Sequence, residues 1–266
     1  MKSVELVNVS FTYPNGFKAV ENVSMVINKG ENVAIIGQNG AGKTTTVKMM
    51  NGLLRPTEGA IFINGKNTKS FTTAQISKKV GYVFQNPGDQ LFNKTVYDEI
   101  AFALRANKVG EKEIEKRVTE AAELCHVREF LDHNPYDLPF SLRKFVTIAI
   151  VVANNCDILV LDEPTAGQDL LEKKWLEEII EKLNSDGKTI ITITHDMDFV
   201  IRNFKRVLVM ANKRLIKDGT PHEVFSDEET LKKANLKKPT ISQLASILGL
   251  GNEITTIEEF MNKVGD

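Results

Sequence analysis

Apolar and polar residues alternate over residues 4–9 and again over residues 20–27, with the turn-forming Pro14-Asn15-Gly16 between them. A period of two on either side of a turn predicts antiparallel strands, each with one solvated face. Val33-Ala34-Ile35-Ile36 differs: it is apolar without alternation and runs straight into glycines, as a buried parallel strand feeding a helix does. Residues 80–84, 158–161 and 190–193 share that character. Between the last two, Leu171, Trp175, Leu176, Ile179, Ile180 and Leu183 recur at helical spacing and stop near Asp186-Gly187. That order predicts a strand-helix-strand unit and hence an α/β fold with a parallel core. Residues from about 96 to 153 read mostly as helices, most regularly over 111–124, and interrupt the strand series as an inserted helical lobe. Beyond Gly219-Thr220-Pro221, short apolar groups (Ile241, Leu244, Ile247, Leu248; then Ile257, Phe260, Val264) lie among Lys and Glu, the pattern of a small helical appendage.

The chain has 266 residues, 42% of them hydrophobic, which suits one main domain with an appendage. Lys+Arg 34 against Asp+Glu 35 leave a formal charge of -1, so no global pull toward nucleic acid or anionic lipid is expected. A role at a membrane must then come through protein contacts. The most apolar stretch, residues 145–153, falls short of the roughly 20 residues of a spanning helix, and the first residues lack a charged-then-apolar signal pattern. Cys125 and Cys156 have no paired zinc or redox spacing and read as small core residues in a reducing, cytosolic compartment.

The strongest chemical signal is Gly37-Gln38-Asn39-Gly40-Ala41-Gly42-Lys43-Thr44, placed between a buried strand and a helix beginning near Thr44. Glycines there let consecutive backbone N–H groups curl round phosphates at a positive helix end. Lys43 supplies a charge to the β- and γ-phosphates and Thr44 a hydroxyl to Mg²⁺. The bland alternative is a glycine-rich strand-helix turn, against which Lys-Thr stands at the required offset.

Farther on, Ile158-Leu159-Val160-Leu161 leads into Asp162-Glu163, two carboxylates at the carboxyl end of a buried strand, where ligands of α/β sheets collect. Alone, such a pair reads as a turn or helix cap. With the phosphate loop, Asp162 is expected to hold Mg²⁺ and Glu163 to orient and help deprotonate the water attacking the γ-phosphate.

These motifs, with Leu161-Asp162-Glu163-Pro164-Thr165 and with His195-Asp196 after the strand ending at Thr194, resemble the ATPase subunits of the ATP-binding cassette (ABC) family over residues 4–220. The resemblance implies a P-loop cassette with a RecA-like parallel core, an N-terminal antiparallel β subdomain and a helical lobe over about 86–156. ATP and Mg²⁺ are the implied cofactors. Gln85, in Phe84-Gln85-Asn86-Pro87, would link the nucleotide site to a membrane partner and join Thr44 and Asp162 around Mg²⁺. Asp169 would lie in the loop facing a second cassette. His195 would contact the γ-phosphate, acting with Glu163 and Gln85. Tyr13 matches the aromatic that stacks on adenine, and Thr45 follows the loop as a further nucleotide-side residue. By itself His195 reads as a surface or capping residue, and Tyr13 as an ordinary strand aromatic.

One departure from the family matters most. Its members lend a Leu-Ser-Gly-Gly-Gln segment to the partner's site, whereas counting back from Asp162 places Leu138-Pro139-Phe140-Ser141-Leu142 there. Both glycines and the first serine are absent, Ser141 is offset by two, and Phe145 stands where arginine is usual. Phe140 obstructs a close backbone approach to phosphate and Pro139 removes an N–H. Losing such a donor costs about 10²–10³ in rate, so a site completed by this segment is expected to be slow. A heterodimer follows, in which a partner with an intact signature completes this chain's own site.

The run Phe84-Gln85-Asn86-Pro87-Gly88-Asp89-Gln90-Leu91-Phe92 and the tail opening Gly219-Thr220-Pro221-His222-Glu223-Val224-Phe225 resemble energy-coupling-factor transporters. That group implies a transmembrane coupling protein, a membrane subunit capturing a vitamin or transition-metal ion, and a peripheral place on the cytoplasmic face of the cell membrane. Residues 221–266 would be the region joining the two ATPases, or else a solvated extension. Gln90 would either line the groove receiving the coupling protein or cap a turn. The rivals are a conventional importer ATPase, a soluble cassette protein of translation or repair, and a nucleotide-binding scaffold with little turnover.

Overall fold

The computed structural model describes residues 1–251 and 254–265. Within it the chain divides into two compact units, residues 1–28, 32–70 and 191–266 forming the first and residues 29–31 and 71–190 the second. The first begins with β1 (Lys2–Thr12) and β2 (Lys18–Asn28), antiparallel across pairs such as Val4–Ile27 and Leu6–Met25. The expected alternation slips after Leu6, where Asn8 (φ 48) bulges the strand and the register shifts. The turn between the strands closes through Gly16 N–H to Tyr13 O at 2.9 Å. β3 (Asn32–Ile36), with Val33 to Ile36 wholly inaccessible to solvent, feeds α1 (Lys43–Met50). β4 (Glu58–Ile63) adds to the free side of β1 and carries the short β5 (Lys66–Asn67). The sequence pattern was not read as pointing to this second pair, although residues 60–63 of β4 form a short apolar run.

The second unit opens with α2 (Thr73–Ser77), started by a reciprocal cap between Thr72 and Gln75. β6 (Val80–Val83) follows, and then the helical lobe of α3 (Val96–Ala106), α4 (Glu111–Leu124) and α5 (Phe140–Ala153). α4 buries Ile114, Val118, Ala121 and Ala122 on one stripe and leaves its charges outside. α5 is the nearly all-apolar run read from sequence, and eight of its fourteen residues are buried. β7 (Ile158–Asp162) then lies parallel to β6, pairing Val80 with Ile158 and Val83 with Leu161. α6 (Leu170–Ser185) starts on an Asp169–Glu172 capping box and buries Leu176, Ile179, Ile180 and Leu183.

β8 (Thr189–Ile193), fully buried, carries the chain back to the first unit. There α7 (Met197–Asn203) leads to β9 (Arg206–Ala211), parallel to β3, and β10 (Arg214–Gly219), antiparallel to β9. The tail is helical, as expected: α8 (Pro221–Phe225), α9 (Glu228–Ala234), α10 (Thr240–Ile247) and α11 (Ile257–Gly265). It is no loose extension. α8 and α9 pack on β9 and β10 and bury Val224, Phe225, Leu231 and Ala234. Asp198 of α7 accepts both the Thr240 N–H (2.8 Å) and the Thr240 hydroxyl (2.6 Å), pinning the start of α10. Asn252, Glu253 and Asp266, which belong to the expected 221–266 region, lie outside the described residues. No described helix is long and apolar enough to cross a membrane. Cys125 and Cys156 are buried and unpaired.

Candidate nucleotide site

In the first unit the loop from Gly37 to Gly42 joins β3 to α1 and is closed inward by main chain. A Cβ on Gly37 would lie 2.1 Å from Met210 O, and one on Gly42 would lie 2.5 Å from Ala19 O. Neither position admits a side chain, and both have φ in the glycine-favouring region (149° and 98°). Gly42 stands at the cap position of α1, which has no side-chain cap and no acidic residue in its first turn. An uncapped, acid-free helix start keeps positive potential toward an anion.

Lys43 is the charge of this loop. Its buried ammonium donates to Gly37 O (2.6 Å) and Gln38 O (3.1 Å), so the side chain folds over the loop instead of reaching solvent. Nε2 of His195 lies 3.3 Å from the same nitrogen. The structure therefore brings His195, ambiguous from sequence, to the phosphate loop. Burial first and the Lys43 charge second hold the imidazole below its ordinary pKa, although the ring keeps an exposed face. Thr194 and Asp196 fix the turn: the Asp196 N–H donates to Thr194 Oγ1 (3.1 Å), and Asp196 caps α7 by accepting from Phe199 N–H at 2.9 Å.

Tyr13 joins the same neighbourhood. Its hydroxyl is 3.3 Å from Thr45 Oγ1, and its ring is set edge-on to Phe11 at 4.8 Å and stacked near Phe17 at 6.4 Å. Asn39 and Gly40 are exposed, Ala41 is buried, and Thr44 is half-buried at the head of α1. Small residues, a lysine and a helix start suit a polyphosphate.

In the second unit Asp162 ends β7 and is 2% exposed; Glu163 follows at 8%. Tyr82 of β6 donates its hydroxyl to Asp162 Oδ2 at 2.7 Å. Burial, then the Asp162 charge, pushes the Tyr82 phenol far up, so it remains a donor. Glu163 has φ 52, a left-handed conformation that costs a non-glycine residue about 1 kcal/mol or more. Its carbonyl accepts from the buried ammonium of Lys144 (2.6 Å) and from Ala166 N–H (3.3 Å). Burial lowers the Lys144 pKa to about 8, against the opposing pull of the Glu163 and Asp162 carboxylates. Gln85 is exposed on the turn after β6, beside Asn86, which accepts from Gly88 N–H at 3.1 Å. The Gln90 amide oxygen accepts from Phe84 N–H at 3.3 Å, which ties its side chain into this turn. Asp169 caps α6. The carboxylate of Asp162 and the amide oxygen of Gln85 are hard donors, the chemistry Mg²⁺ takes.

The altered segment begins α5. Leu138 is buried, Pro139 is the cap without a side-chain bond, and Phe140 is 47% exposed. Phe145 is buried against Trp175, with ring centroids 5.8 Å apart. Sequence reasoning passed over Tyr82 and Lys144. The one signal for Lys144 was its place, next to Arg143, at the edge of the apolar run that begins at Phe145.

A family model described as "ABC transporter" matches residues 20–166. The chain is 40% identical, over 96% of its length and 92% of the relative's, to an energy-coupling factor transporter ATP-binding protein, EcfA, of Methanocaldococcus jannaschii. It is 38% identical over 97% of its length to a putative ABC transporter ATP-binding protein of Caldanaerobacter subterraneus, of which it spans only 45%. Among solved structures, cbiO1 from Clostridium perfringens, described as part of the ABC transporter complex cbiONQ, superposes with a TM-score of 0.79 at 34% identity, covering 92% of this chain and 99% of that one. With the loop, the strand-end carboxylates and the mixed α/β architecture in place, the chain belongs to the ABC transporter family, as one of its ATP-hydrolysing cassettes.

Proposed function

We propose that the chain is the ATP-binding and hydrolysing subunit of an energy-coupling-factor transporter, held at the cytoplasmic face of the cell membrane as one half of an asymmetric ATPase pair. The observation that carries the asymmetry is the contrast between a complete phosphate loop and an altered Leu138-Pro139-Phe140-Ser141-Leu142. An exposed Phe140 ring in the first turn of α5, behind a proline without an N–H, blocks the phosphate approach that two glycines would permit.

In this reading ATP is the substrate. The main-chain N–H groups of residues 37–44 and the Lys43 ammonium take its phosphates, with Tyr13 against the base and Thr45 beside it. Mg²⁺, with Thr44, Asp162 and Gln85 as its protein ligands, would neutralise charge on the β- and γ-phosphate oxygens. Glu163 orients the water and takes its proton; the water oxygen bonds to the γ-phosphorus as the bond to the bridging oxygen breaks, giving ADP and phosphate. His195, whose imidazolium is disfavoured by burial and by Lys43, has a ring N–H to donate to the γ-phosphate in its neutral form.

The partners in this reading are a second ATPase with an intact signature, a transmembrane coupling protein and a membrane subunit capturing a vitamin or transition-metal ion. The tail supports a joining role: Ile247 (81% exposed), Ile257 (70%) and Met261 (62%) are apolar and uncovered on helices of an otherwise anchored region. Purification of the tagged chain from its native membrane, with the co-purifying proteins identified, tests the assembly. A second cassette and a coupling protein are expected; recovery of the chain with only copies of itself contradicts the pair.

A further inference from the structure

Lys144 is a cation buried to 1% exposure on a helix whose other buried positions, Thr147 apart, are apolar. Burying an ammonium is unfavourable unless hydrogen bonds replace its hydration, and a methionine would fill the same space without that desolvation. The replacement here is specific. Lys144 Nζ donates at 2.6 Å to the carbonyl of Glu163, the one residue of the strand-end pair held at positive φ (52°). Such a conformation persists only where its surroundings over-determine it. The Ala166 N–H on the same carbonyl, at 3.3 Å, is longer and weaker.

Two further contacts tie the start of α5 to the chain that follows Glu163. The Phe140 ring, under which Lys144 Nζ lies 5.5 Å from the centroid, leaves only 3.3 Å to a Cβ built on Gly167. The side-chain amide of Gln168 donates to Ser141 O at 3.3 Å. Residues 140, 141 and 144 thus all engage residues 163–168 of their own chain.

We infer that the altered segment at the start of α5 serves its own chain: Lys144 is a positioning residue that fixes the Glu163 peptide and so sets the place of the Glu163 carboxylate in hydrolysis. The inference rests on the role given to Glu163 above. It differs from a packing role, because its effect must pass through that carboxylate.

The test is a double-mutant cycle of Lys144→Met and Glu163→Gln in the full-length chain within its native complex. MgATP turnover, binding of a fluorescent ATP analogue and thermal unfolding are measured for each form. Lys144→Met is expected to lower kcat by about 10- to 100-fold, as lost support of a reacting group does, while the analogue's Kd stays within about twofold. In the Glu163→Gln background the same change should lower turnover no further. Lys144→Met turnover within about twofold of the parent, or an equal proportional loss with and without the Glu163 carboxylate, overturns the inference while leaving Glu163→Gln slow. Unchanged turnover in Glu163→Gln alone would instead remove Glu163 from the reaction, and the role of Lys144 with it. Should Lys144→Met not fold, Lys144→Leu, which also removes the N–H donor, enters the same cycle with the same non-additivity expected.

Discussion

Nε2 of His195 lies 3.3 Å from the ammonium of Lys43, so the imidazole sits beside a buried fixed charge in the phosphate loop. Both burial and Lys43 disfavour the imidazolium and lower its pKa below 6.5. In the nucleotide-free chain, the His195 midpoint measured by NMR should fall below 6.5, and Lys43→Met should raise it. The linked stability has a definite sign. The unfolded chain binds this proton first, so the His195 contribution is present above pH 6.5 and is lost as pH falls through the folded value. A midpoint unmoved by Lys43→Met contradicts the coupling.

Tyr82→Phe removes the hydroxyl that donates to Asp162 at 2.7 Å and leaves a buried carboxylate short of a donor. The expected cost is about 2 kcal/mol in denaturant unfolding. Mg²⁺ dependence should also change, with a higher Mg²⁺ concentration needed for half-maximal turnover. A variant with parental stability and parental Mg²⁺ response shows that the bond carries neither.

Most of what positions the site was legible in the chain because it is written in local rules. The unbroken apolar runs at 33–36 and 158–161 announced buried parallel strands, and both lie in parallel ladders, with Val33 opposite Arg206 and Leu161 opposite Val83. The loop and the strand-end carboxylates followed from their places at the ends of those runs. What stayed hidden depended on contacts remote in sequence. β4 carries a short apolar run at 60–63 that was not read as a strand, and the two-residue β5 has no apolar pattern and exists by pairing with β4. Tyr82 reaches Asp162 across eighty positions, and Lys144 reaches Glu163 across nineteen. No periodicity encodes such pairs; only folding brings them together.

The tail offers a separate check. Thr240→Val keeps the shape of the side chain but deletes the hydroxyl bond to Asp198, and Asp198→Ala deletes both bonds. Limited proteolysis should release residues beyond 240 faster in Asp198→Ala than in the parent, with global stability changed by only about 1 kcal/mol. Equal cleavage rates show that other contacts hold the tail.

Lys43→Ala and Glu163→Gln should separate binding from turnover. Removing the loop's ammonium should weaken ATP binding by at least about tenfold. Glu163→Gln should leave binding within about twofold and slow hydrolysis by about 10²-fold or more. Equal loss of binding in both variants, measured by calorimetry, contradicts the assigned roles.

The central claim is that this chain supplies one competent nucleotide site and one defective signature. Steady-state ATPase rates of the chain alone and of the reconstituted pair, with Glu163→Gln in this chain and the equivalent change in its partner, test it most directly. The account predicts a slow lone chain, a fast pair, and a pair disabled far more by Glu163→Gln here than by the change in the partner. A lone chain as fast as the pair, or equal sensitivity to the two substitutions, would contradict it.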